Sequence, residues 1–230
     1  MIRSYRAELL RSTSRGTTWF LAFCFALMVF SMSNAGPQHQ SPLWGFRQAG
    51  IVVATLLMGR AATAAAGDFS SGTIRAWLIS VPSRLRLGLG KLAASASIAA
   101  GFAVLAGAAG YAVSGLFGRM PGVGDMAAAT AELLGACVIL SVFGHATGLL
   151  TRSVPAALTV SLAWILAAEH VLEGRFAHST QWLPGLVTQR LTQHKLTVEA
   201  LPGALAHALL PFVLLDGLAL LLFVRRDVTS

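Results

Sequence analysis

The chain has 230 residues, 55% of them hydrophobic and 11% charged, with a mean hydropathy of +0.69. That apolar content is more than a water-facing globular surface tolerates, which excludes a soluble domain. A formal charge of +8 would suit a nucleic-acid binder, but the basic residues are divided among short segments beside apolar runs, so anionic headgroups are the expected counter-charge and nucleic acid is not.

Crossing a hydrocarbon core of about 30 Å takes about 20 apolar residues as a helix, because in lipid each backbone amide must bond within its own segment. Six segments meet that requirement: 17–35, 48–67, 92–117, 126–150, 154–171 and 204–224. The expected fold class is therefore all-α, a polytopic membrane protein forming one domain over residues 1–230.

Residues 1–16, "MIRSYRAELLRSTSRG", set Ile2, Tyr5, Leu9 and Leu10 against Arg3, Arg6 and Arg11 at helical spacing. A basic amphipathic helix lying in the headgroup plane has this pattern; an ordinary positive flank is the competing reading. The first span is uncharged and ends in "SNA", which also reads as a signal-peptide cleavage site, but its apolar run is longer than a signal core and is taken as retained. In the loop "GPQHQSPLWGF", Trp44 and Phe46 are placed as interfacial anchors. The second span carries Arg60 near its end, within snorkelling reach of the interface.

Residues 68–91 follow and concentrate charge between two apolar runs. After Asp68 and Phe69 the chain turns at Gly72 and then sets Ile74, Trp77, Leu78 and Val81 on one helical stripe, with Arg75 on another face and Pro82 as a stop. Arg84, Arg86 and Lys91 then lead into the third span, which is long enough to be tilted. The fourth span holds Glu132 and His145, and the fifth follows after a turn at 151–153. Residues 173–203 are too polar to span yet contain Trp182, Leu183, Leu186, Val187 and Leu191, which suggests short surface helices broken at Pro184 and Pro202. The sixth span contains Pro211 and Asp216.

Runs such as "AATAAAG" allow close helix approach and predict a compact bundle, in which Cys24 and Cys137 are small packing residues. Arg3, Arg6, Arg11, Arg15, Arg75, Arg84, Arg86, Lys91, Arg152, Arg225 and Arg226 fall on one side; Arg47, Arg119, Arg175, Arg190 and Lys195 fall on the other. Basic loops stay in the cytoplasm, so both termini and the 68–91 segment are expected there.

The stretch "GDFSSGTIRAWLISVPSRLRLGLGKL" resembles the acidic-aromatic-x-x-Gly-Thr-Ile-Arg segment, followed by Ser/Pro-Ser-Arg and Gly-Lys, of permease subunits of ABC-2 type ABC transporters. The order of elements is similar along the whole chain, including the "WLPG" segment between spans five and six. The resemblance implies a bacterial inner-membrane exporter subunit, acting as two permease copies or with a related permease. ATP and Mg would be bound by two copies of a separate ATPase, and the exported substrate would be an antibiotic, antimicrobial peptide or lipid-like molecule.

It also makes the 68–91 segment the coupling helix, with Asp68, Phe69, Gly72, Thr73, Ile74, Arg75, Trp77, Leu78, Arg84 and Arg86 at the ATPase contact, and residues 173–203 the short extracellular helices. Where the family commonly has Glu, this chain has Asp68, with the same charge and a shorter reach. A lipid-facing elbow is the competing reading of the amphipathic stripe.

No cofactor is expected on this chain itself. "LGLGKL" is not a P-loop, since Leu85 stands where the first glycine belongs and Leu92 where a Ser or Thr would bind magnesium. His170, His178 and His194 lack metal-ligand spacing. Asp216, His145 and Glu132 are candidates for a translocation path. For Asp216 the alternative is a structural bond to Arg60, Thr159 or Ser161; for His145 and His207 it is packing; for Glu132 and Glu169 it is a solvated helix end. An intramembrane serine protease would need a nucleophile and base on facing helices, whereas Ser141 and His145 are neighbours on one helix, so no catalytic residue is expected. A membrane scaffold that binds a partner without transport is the remaining alternative.

Overall fold

A computed structural model describes residues 2–12, 14–34, 41–81, 83–117, 120–175, 179–196 and 201–225. The readings for Ala35, Pro82, Arg119, His178 and Arg226 lie outside the described residues. Among the described residues every regular element is helical. The elements are α1 (Ile2–Ser12), α2 (Arg15–Ser33), α3 (Trp44–Ser70), α4 (Ile74–Ser80), α5 (Arg84–Leu116), α6 (Val123–Thr151), α7 (Val154–Ala163), a π-helical turn (Trp164–Ala168), α8 (Glu169–Leu172), α9 (Ser179–Trp182), α10 (Pro184–Thr192) and α11 (Leu201–Arg225). Six helices are long and apolar enough to cross a membrane: α2, α3, α5, α6, the continuous Val154–Leu172 rod, and α11.

The centre of the bundle is the α3–α6 pair, and residues 139–149 of α6 are buried without a break. Small residues set that contact. Gly144 and Gly148, one turn apart, face the backbone of α3, and a Cβ on Gly148 would stand 2.5 Å from the Ala62 carbonyl oxygen. At Gly144 the obstacle would be the Met58 carbonyl oxygen. Backbone-to-backbone approach of this kind replaces the hydrophobic drive that lipid cannot supply.

The third membrane helix begins earlier than hydropathy indicates. Ser83 caps it, its Oγ accepting from the Arg86 amide at 3.4 Å, and nothing in the following residues breaks the helical backbone. Lys91 is consequently two turns inside α5 and 3% exposed, which corrects its reading as a connecting-loop cation.

The fifth span keeps Ala157, Ser161, Ile165 and Glu169 buried at intervals of four residues. A regular 3.6-residue helix would rotate that row away from the core, and the wide turn at Trp164–Ala168 takes up the difference. Glu169 therefore faces inward, where a plain α-helix would carry it around the side. Pro211 does not interrupt α11.

Candidate functional site

Three groups of polar side chains stand out: one where α1, α3, α4 and α5 meet, one within the bundle, and one beneath α10.

At the first, the chain turns from α3 into α4 through Gly72, at φ +72, a conformation that costs glycine little. Ile74 is buried with Leu87 and Phe223, and Phe69, Trp77, Leu78 and Val81 close over them. Phe69 meets the Phe223 ring edge-on at 5.7 Å. The apolar stripe of α4 thus packs on α5 and the end of α11, which argues against an elbow inserted in lipid. Ser71, Gly72, Thr73, Arg75, Ala76 and Ile79 remain exposed, Ile79 to 83%.

Asp68 does not reach the surface. It is wholly buried and accepts from Arg11 Nη1 at 2.6 Å and from Thr73 Oγ1 at 2.8 Å, and it pairs with Lys91. Lys91 also reaches Glu8 at 3.1 Å, and Glu8 is itself 4% exposed. The Trp77 ring covers the cluster, with its centroid 5.8 Å from Lys91 Nζ and 5.9 Å from Arg11 Cζ. Of the proposed contact residues, then, Asp68 and Ile74 are internal braces and are corrected as surface contacts. Arg84 donates to the Val224 carbonyl at 3.3 Å, tying the start of α5 to the end of α11, while Arg86 is exposed.

The inward face of α1 is also polar, with Ser4 and Glu8 buried, and Leu10 is 74% exposed. The sequence does not single out Glu8, and it places Arg11 on the basic face of an amphipathic helix and Lys91 in the connection before the third span. The available signal was that Glu8 is the one acidic residue of a basic helix and shares a face with Ser4 and Arg11.

Within the bundle, His145 Nδ1 lies 2.6 Å from Asp216 Oδ1, joining α6 to α11, with both side chains buried. The partner of Asp216 is thus His145, not Arg60, Thr159 or Ser161. Ser161 bonds Thr147 at 2.7 Å and the Ala157 carbonyl, and Thr159 bonds the Pro155 carbonyl. The sequence offers Asp216 and His145 as separate path candidates; the structure brings them together. The His207 and Trp182 rings lie 4.4 Å apart, tilted by 37°.

Beneath α10, Glu169 is buried and accepts from the amides of Gly185 at 3.0 Å and Leu186 at 2.8 Å, and from Trp164 Nε1 at 2.7 Å. A carboxylate here meets the free amides and positive end of the α10 dipole. It is not a solvated helix end. Glu132 holds the other end of the same helix, paired with His194 and 3.6 Å from Arg47. His194 presents its ring from a left-handed backbone position, φ 56. Glu132 is therefore one half of a clasp on α10, away from the His145–Asp216 pair. Among the described residues no three His, Cys, Asp or Glu side chains converge as metal ligands.

No protein-family model matches this chain, and no curated protein is similar to it.

Proposed function

We propose that this chain is the membrane subunit of an ABC-2 type exporter, energised by a separate ATPase that docks on the exposed tip of α4. The observation that carries the reading is the form of the α3–α4–α5 connection. Its apolar stripe is used internally, its base is braced by the Asp68 cluster, and its tip still offers Ile79 and Arg75 outward. A protrusion that passes a push into a bundle must be rigid at its root and adhesive at its end, and an exposed isoleucine one turn from an exposed arginine suits a hot spot. In this reading the α1–α4 face is cytoplasmic, α9 and α10 lie outside, and a second permease copy completes the path.

The contact set accordingly loses Asp68 and Ile74, keeps Arg75 and gains Ile79. Co-expression with a candidate ATPase, followed by co-purification and ATP hydrolysis, tests this. Ile79→Glu should abolish association while the permease still inserts and keeps its helical content. Association unchanged by Ile79→Glu and by Arg75→Glu would remove α4 as the docking element. Capture of a partner without ATPase activity would point to the scaffold instead.

A further inference from the structure

Between α2, α3 and α7 the surface carries three adjoining cavities of about 220, 400 and 270 Å³, which share residues from one to the next. The first, beside α1, is polar and includes Arg11, Ser14, Thr17, Arg60 and Thr63, with Glu8 in its wall. Thr17, Arg60 and Thr63 also line the second, which continues along Phe20, Leu158 and Leu162. The third is apolar and ends at Ile51 and Leu166. Together they make one amphipathic groove, polar at the α1 end and greasy beyond it.

Its dimensions and charge both select an occupant. From Thr63 to Ile51 the groove follows α3 for roughly 18 Å, at about 1.5 Å per residue. That is close to one leaflet's share, roughly 15 Å, of the hydrocarbon core. At the head, Arg11, Lys91 and Arg60 stand with two carboxylates, Glu8 and Asp68, which leaves one positive charge over. Arg11 and Lys91 are engaged by those carboxylates. The guanidinium of Arg60 has no carboxylate within 4 Å among the described residues, and its buried Nε has no hydrogen-bond partner there. A half-buried guanidinium whose facing carboxylate, Glu8, is already held by Lys91 stands beside a row of hydroxyls and suits an anion with fixed oxygens.

We infer that the groove binds one anionic glycerophospholipid of the leaflet on the α1 side, its phosphate at Arg60 and one acyl chain laid along α3 towards Ile51. A single phosphodiester charge matches the single surplus cation, and the chain fills apolar space that the helices leave open. The inference is independent of the permease reading, since its test contains no ATPase.

The full-length chain in neutral detergent is titrated with phosphatidylglycerol or phosphatidylcholine of identical acyl chains, and bound lipid is counted by native mass spectrometry. Wild-type protein should bind phosphatidylglycerol about tenfold more tightly, because both lipids offer the phosphate but the choline cation of the other brings a like charge to a head that already carries one positive charge over. Arg60→Gln should bring the two affinities together, and Arg60→Lys should keep most of the preference. Leu158→Trp, which fills the middle of the groove, should weaken both lipids alike. All variants are checked for helical content and monodispersity. No preference in wild type overturns the inference. A preference that survives Arg60→Gln overturns it too, placing the lipid on outward cations such as Arg6 and Arg15. Undiminished binding in Leu158→Trp, or a Leu158→Cys variant that cross-links quantitatively to a second copy, removes the chain from the groove and has the same force.

Discussion

The two ends of the bundle each spend a buried carboxylate on holding a short helix, but in different company. Asp68 faces cations, Arg11 and Lys91, drawn from α1 and α5. Glu169 faces neutral N–H groups, two from the backbone of α10 and one from Trp164. The first arrangement makes three separate elements interdependent, because withdrawing Asp68 or Lys91 leaves a buried opposite charge short of its partner, Arg11 alone being 45% exposed. The second fixes one helix end against one rod, and a neutral side chain of the same shape keeps the bonds made to one of the two oxygens and strands no charge. On the proposed cytoplasmic side the chain is therefore brittle and tightly coupled, which suits a mechanical joint; under α10 the attachment is local and forgiving.

This contrast breaks first if charges are removed from the Asp68 cluster. Lys91→Met leaves Asp68 and Glu8 short of a buried partner and should cost about 3–5 kcal/mol in chemical unfolding measured in detergent. A loss below about 1 kcal/mol would mean that water enters the cluster, and the two ends would then be alike. Adding Asp68→Leu to Lys91→Met should be less damaging than the sum of the single changes, with an interaction of about 1–3 kcal/mol in a double-mutant cycle. Strict additivity would dissolve the claimed interdependence.

Glu169→Gln should cost about 1–3 kcal/mol, since the amide oxygen can keep the Gly185 and Trp164 bonds made to one carboxyl oxygen while its NH2 then faces the Leu186 amide. Its effect should be confined to faster hydrogen exchange at the α10 amides, with α1 and α4 unmoved; protection lost across the bundle would contradict a local role. His194→Gln, at the rim where the ring is 53% exposed, should change stability by about 1 kcal/mol or less, read from the same unfolding curves. Thr73→Val removes one neutral donor from Asp68 and should cost about 0.5–1.5 kcal/mol.

How much of this was legible beforehand differs between the membrane helices and the polar sites. The spans were readable because lipid burial is a demand on composition: a helix in hydrocarbon must be apolar whichever neighbour it meets. The amphipathic stripe of α4 was readable for a related reason, since period and side-chain type are local. Its direction was not, because the same stripe serves a lipid surface or a neighbouring helix equally well. At α5 hydropathy misplaced the start, since Arg84 and Arg86 lower the average over residues that are nonetheless helical.

The partners were illegible for a stronger reason. Arg11 and Asp68 are 57 residues apart, Glu8 and Lys91 are 83 apart, and His145 and Asp216 are 71 apart. Asp216 stands out as a costly membrane carboxylate and His145 as a path candidate with packing as its alternative, but pairing them requires knowing that α6 and α11 touch at that height. Glu169 needed more, the wide turn at Trp164–Ala168 that keeps it on the inward row.

By itself the sequence determined that this protein is a bundle of membrane helices with a charged, amphipathic connection after the second span, because solvent preference acts on each segment separately. Only the tertiary structure decided which charges brace that connection, which residue of α4 is left facing outward, and which arginine is left unanswered at the head of the groove. Those outcomes depend on helices meeting at set heights, and a hydrogen bond a few ångströms long cannot be read from residues scores of positions apart.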